Sequence, residues 1–222
     1  MSVIFIFVDG VGVGRRSEEN PLSNKWDFFS EFTQTDGLDD SCPPACDGRI
    51  LYKPIDACLG VEGLPQSGTG QATLFSGINA AKVAGKHFGP FPYSTTRYLL
   101  ESESLFHKVI ELGKIPVFMN AYPDIFFQKA RKKNRWTATT LMAMSAGNTL
   151  KTVQDVLEGS ALTAEITQSI WRGQLGLNVP EITVEEAGNR ILEAVKKYGL
   201  VMYEFYLTDK AGHSMDREFA DR

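Results

Sequence analysis

The sequence lacks any apolar run long enough to cross a bilayer: near its start the longest is Val3–Val8, against about 20 residues for a spanning helix. No basic start and no small-residue cleavage site surround that run, so it does not read as a secretion signal. A basic excess is also missing. Lys and Arg number 23 against 27 Asp and Glu, and the net charge of −4 argues against a general nucleic-acid binder, whose hold on phosphates needs positive charge. Cysteine is scarce. Cys42, Cys46 and Cys58 are an odd set, and Cys42-Pro-Pro-Ala-Cys46 has no second pair to complete a zinc site, so they read as reduced thiols. No repeat of fixed period and no low-complexity tract occurs. What is left is 222 residues with 43% apolar and 23% charged content, enough to bury a sizeable core. The expectation is a soluble cytoplasmic protein with no membrane or nucleic-acid partner.

Val3-Ile-Phe-Ile-Phe-Val8 is β-branched and aromatic without alternation, the pattern of a strand buried on both faces of a parallel sheet, and Asp9-Gly10 ends it. Leu105–Leu112 reads as a helix, Gly113-Lys114 as its stop and Ile115–Met119 as a strand. The grammar repeats from Val184 to Tyr198, where Ala187, Ile191, Leu192 and Val195 share a helical face, Gly199 stops the helix, and Leu200–Leu207 follows as a strand. Two such units imply an α/β fold on a mostly parallel central sheet. Residues 121–182 read as a cap or excursion within one core spanning 1–222, since no Pro/Ser-rich linker sets them apart.

In open α/β sheets, ligands bind beyond the carboxyl ends of the strands, and three motifs fall in suitable places. Val8-Asp9-Gly10-Val11-Gly12-Val13-Gly14 puts a carboxylate at a strand end among glycines that let backbone approach a ligand. Asp9 reads either as a metal ligand or as a turn residue satisfying nearby amides. The spacing does not fit a dinucleotide loop, which needs G-x-G-x-x-G opening a helix. Gln66-Ser67-Gly68-Thr69 opens a short helix ending at Gly77. Ser67 there is either a helix cap or a nucleophile aimed at a phosphoryl group on the free amides. Asp209-Lys210-Ala211-Gly212-His213 sets Asp and His four apart, able to face one cation if the segment is helical.

Taken in order, these three motifs resemble the alkaline phosphatase superfamily, and most nearly its metalloenzyme branch of cofactor-independent phosphoglycerate mutase and phosphopentomutase. The resemblance spans the chain in outline. It implies a mostly parallel central sheet with helices on both faces. It also implies that Asp9 and the nucleophile Ser67 bind one divalent metal while Asp209 and His213 bind a second, the ions being Mn2+ or Zn2+ with Mg2+ as a further option. Ser67 is preferred to Thr69, the alternate, because superfamily members carry the nucleophile ten residues before a glycine, here Gly77. Gly70-Gln71 stands where the mutases carry Gly-His. The family's further Asp-His pair and last His have no counterpart before Arg222, so the expectation is an N-terminal portion, incomplete at its C-terminus.

The expected function is metal-dependent phosphoryl transfer on a small phosphate monoester through a phosphoserine, as a phosphomutase or a phosphatase. The alternative is a module that binds a phosphorylated ligand or a partner without turning it over. Lys86 and His87, flanked by glycines, and Arg131 and Arg135 in the basic run are the candidates for holding substrate.

Overall fold

In the computed structural model, residues 1–23, 35, 37–46 and 48–220 are described. They fall into two compact units: Met1–Val8 with Ala57–Tyr206, and Asp9–Asp56 with Leu207–Arg222. Along the chain come β1 (Val3–Val8), β2 (Ala45–Cys46), β3 (Leu51–Tyr52), α1 (Ser67–Ser76), α2 (Ala80–Ala84), α3 (Tyr98–Glu101) and α4 (Leu105–Glu111). Then follow β4 (Pro116–Phe118), α5 (Asp124–Lys133), α6 (Ala138–Ser145), α7 (Val153–Leu157), α8 (Ser169–Gly173), α9 (Val184–Val195), β5 (Leu200–Phe205), α10 (Leu207–Ser214) and α11 (Arg217–Ala220). Among the described residues no helix is long and apolar enough to cross a membrane.

The first unit is an α/β structure on a three-stranded parallel sheet, ordered β1-β5-β4. β1 runs beside β5 in the register Val3↔Leu200 to Val8↔Phe205, and β4 lies on the other side of β5 with Pro116↔Leu200. Alternate side chains of β5 therefore feed two separate apolar clusters. Leu200 and Met202 join Phe75, Leu99, Phe106, Phe118 and Met142, whereas Val201 and Tyr203 join Val117, Met119, Leu162 and Ala187. Both helix-strand units form, with shorter bounds than the sequence suggests: Gly113, at φ +69°, follows α4, whereas α9 already ends at Val195 with Lys196 as its cap, β5 ends at Phe205, and Leu207 opens α10.

Two sequence expectations are corrected in this unit. β1 is not buried on both faces. Among the described residues it is an edge strand: Val3, Ile4, Ile6 and Val8 are all 40% exposed or more, while Phe5 and Phe7 pack inward, edge-on to the Phe75 ring. An apolar run shows that a strand is apolar, but a strand is buried on both faces only when its neighbours cover both. On α9, Ala187 and Ala194 are buried with Ile191 and Val195 packed beside them, while Leu192 stays 55% exposed. At about 100° per residue, Leu192 has turned off the stripe that Ile191 occupies.

Residues 121–182 lie in the same unit as the sheet. Parallel bridges Asn120↔Leu162 and Ala121↔Lys151 carry the ladder past the end of β4, and Ala121, Val156, Ala161, Trp171 and Val179 form a third cluster.

The second unit holds the antiparallel pair β2-β3 and the helices α10 and α11. Its interior includes Leu38, Asp39 and Cys42. Buried Asp39 accepts hydrogen bonds from the amide and hydroxyl of Ser41, which hold its carboxyl below the ordinary carboxylate range. Cys42 donates to the Gly37 carbonyl at 3.0 Å. Cys46 and Cys58 are exposed, and no disulfide joins the three cysteines.

Candidate functional site

In the first unit, the N-terminus of α1 gathers most of the chemistry the sequence suggested. Gln66 is the cap residue, extended at φ −131° and ψ 142°, and Ser67 is the first helical residue, so Ser67 does not cap the helix. Its side chain is half-buried and its Oγ has no hydrogen bond among the described residues. The amides of Ser67 and Gly68 belong to the first turn and have no acceptor within the helix. Thr69, two residues on, is fully buried. Its amide donates to the Phe88 carbonyl at 2.9 Å and its Oγ1 accepts from the Phe88 amide at 3.1 Å, so its hydroxyl fastens the loop to the helix.

That loop lies against the helix because two residues lack side chains. A Cβ on Gly68 would stand 2.2 Å from the Phe91 carbonyl oxygen, and one on Gly89 would stand 3.3 Å from the Ser67 amide nitrogen. Any larger residue at 68 would push the loop off the first turn.

Three of the four substrate-binding candidates sit on or against this loop. The Lys86 ammonium lies 5.0 Å from the Tyr93 ring centroid and 5.8 Å from that of Phe88, and the Arg135 guanidinium lies 5.7 Å from that of Phe91. His87 Nε2 lies 3.2 Å from the Val61 carbonyl, which only accepts, so Nε2 carries the proton. Its Nδ1 is buried and has no hydrogen-bond partner among the described residues. Arg131 goes elsewhere: it stacks over Phe127 at 5.8 Å and lines a cavity against α5.

The second unit brings the two Asp-Gly and Asp-His motifs together. Gly10 has φ +76°, and a Cβ there would stand 2.3 Å from Asp209 Cα, so only glycine lets the two backbones abut. The Thr208 hydroxyl donates to the Asp9 carbonyl oxygen, and Asp9 Oδ1 accepts from the Gly10 amide at 3.1 Å. Asp209 lies in the first turn of α10 and His213 one turn on, with Nε2 to Oδ1 at 3.5 Å; His213 is 81% exposed. Two carboxylates and an imidazole suit a divalent cation in kind. They are not gathered around one point: no group of three His, Cys, Asp or Glu able to hold a metal occurs among the described residues.

Sequence reading missed a polar network where β4 and β5 end. Asn120 Nδ2 donates to the Glu204 carbonyl at 2.7 Å, and the Glu204 amide donates to Asn120 Oδ1 at 2.8 Å. Thr139 Oγ1 donates to Glu204 Oε2 at 2.9 Å. Burial first, and then the Glu204 charge, push the Tyr122 phenol well above its ordinary range, so it stays a neutral donor. The only signal in the sequence was position, Glu204 falling just before the end of an apolar strand.

Protein-family models, curated proteins and solved structures were all compared with the chain, and none matches it.

Proposed function

We propose that the protein is a metal-dependent phosphoryl-transfer enzyme acting on a small phosphate monoester, with Ser67 as its nucleophile. The observation that carries the reading is the contrast at the start of α1. Ser67 Oγ is unengaged at the first helical position, beside amides that favour an anion, while Thr69, the alternate nucleophile, is buried and tied to Phe88. In this reading the phosphoryl oxygens lie on the Ser67 and Gly68 amides, and Lys86 and Arg135 add positive charge from the loop side. Ser67 Oγ bonds to phosphorus as the ester oxygen leaves, and transfer of the phosphoserine to water or to a second hydroxyl completes a phosphatase or a phosphomutase cycle.

Asp9, Asp209 and His213 are the residues we assign to divalent cations, Mn2+ or Zn2+ with Mg2+ as a further option. Divalent ions of this kind supply charge that offsets a phosphoryl group. The three-stranded sheet would then be the heart of a mostly parallel sheet with helices on both faces, which the division of β5 between two clusters supports. The reading places the enzyme in the cytoplasm, where exposed thiols such as Cys46 and Cys58 stay reduced.

The test is Mn2+-dependent hydrolysis of 4-nitrophenyl phosphate by the wild-type protein and by Ser67→Ala, with mass-spectrometric mapping of any phosphoryl adduct. The expected result is a loss of about a thousandfold or more in turnover and an adduct confined to Ser67. Unchanged turnover in a folded Ser67→Ala protein removes Ser67 from the role. Calorimetric metal titration addresses the competing reading, a module that binds a phosphorylated ligand without turnover. Two tightly held cations per chain support the enzyme.

A further inference from the structure

The cavity against α5 shares only Arg131 and Phe127 with the residues described above, and it has the dimensions of a ligand site. Its volume is about 620 Å3, within the range of about 300–1,000 Å3 that holds small molecules. One wall is a single helical face: Asp124, Phe127, Gln128 and Arg131 recur at the three-, four- and seven-residue spacing that aligns side chains along a helix. Trp136, Met144, Asn148 and Leu150 contribute to the remaining lining.

Both ends of that wall are charged. Asp124 and Arg131 form no ion pair among the described residues. Seven residues at 1.5 Å rise put their backbones about 10 Å apart. Between them stands the Phe127 ring, with Arg131 over its face at 5.8 Å. Asn148 Oδ1 already accepts from the Phe118 amide at 3.3 Å, which leaves its two amide protons to donate elsewhere. Such a wall matches a flat molecule with opposite polarity at its two ends: aromatic faces stack on a ring, a guanidinium fork receives an anion, and a carboxylate receives an ammonium or amino donor.

We propose that this cavity binds a planar-ring ligand carrying an anionic group, held by Arg131, and an ammonium or amino group, held by Asp124. The assignment is independent of the role of Ser67. A nucleoside phosphate whose base bears an exocyclic amino group carries this chemistry, with the amino group and the phosphate at opposite ends of the molecule.

The test uses probes that Ser67 cannot cleave. The full protein is titrated calorimetrically with 4-(aminomethyl)phenylphosphonate, phenylphosphonate and methylphosphonate, and then with an adenosine phosphonate. The aminomethyl compound is expected to bind at least about tenfold more tightly than methylphosphonate. Arg131→Gln is expected to weaken it about tenfold or more, and Asp124→Asn to remove its advantage over phenylphosphonate. Tighter binding of the adenosine phosphonate than of phenylphosphonate, sensitive to Arg131→Gln, supports the site and a nucleoside phosphate as its ligand class. Equal affinity of wild type and Arg131→Gln, equal affinity of ringed and ringless phosphonates, or no binding by a natively melting protein overturns it. Arg131 and Asp124 are exposed, so neither substitution disturbs a buried group.

Discussion

β1 and β5 are neighbours in register and nearly equal in apolar content, yet they live in different surroundings. Leu200 through Tyr203 of β5 are buried, each 3% exposed or less, while no residue of β1 reaches that state. β5 has a strand on either side and a cluster on each face; among the described residues β1 has one strand beside it and reaches the apolar clusters through Phe5 and Phe7. The comparison teaches that the energetic weight of a strand comes from what its neighbours cover, and that two similar apolar runs can differ severalfold in what they contribute.

Substitutions along the pair sharpen that difference. Met202→Ala, in the middle of the central strand, is expected to cost about 2–5 kcal/mol of stability, read as a lower urea midpoint. Phe7→Ala removes a half-buried ring 5.4 Å from Phe75 and should fall between, at about 1–3 kcal/mol. Ile6→Thr, at a side chain 48% exposed, should stay within about 0.5 kcal/mol. If Ile6→Thr cost as much as Met202→Ala, the outer face of β1 would have to be covered in solution and the contrast would collapse.

The sequence carried the local parts of this architecture well, for reasons those same strands make plain. Gly113 and Gly199 sit between an amphipathic helix and an apolar run, so α4-β4 and α9-β5 could be read from adjacent residues. The opening of α1 was equally local, and so was the one-turn spacing of Asp209 and His213. Place in the sheet is not local, which is why β1 reads from its residues as an interior strand. The network at Glu204 is still less accessible, since its partners Asn120 and Thr139 lie 84 and 65 positions away and leave no periodic trace. Arg131 and Arg135 illustrate the same limit. Four residues apart in one basic run, they end on different rings, Phe127 and Phe91, because α5 ends between them at Asn134.

The paired hydrogen bonds between Asn120 and Glu204 bear on how the molecule breathes. β4 ends at Phe118, and a side-chain amide then supplies the rung that a further strand residue would have made. The Glu204 amide proton is thereby shielded beyond the formal ladder, and its exchange with solvent deuterium should follow opening of the sheet itself rather than fraying at its end. In Asn120→Ala that proton should exchange early while Met202, deeper in the sheet, keeps its protection. The side chain of Asn120 thus sets where cooperative opening of the sheet begins.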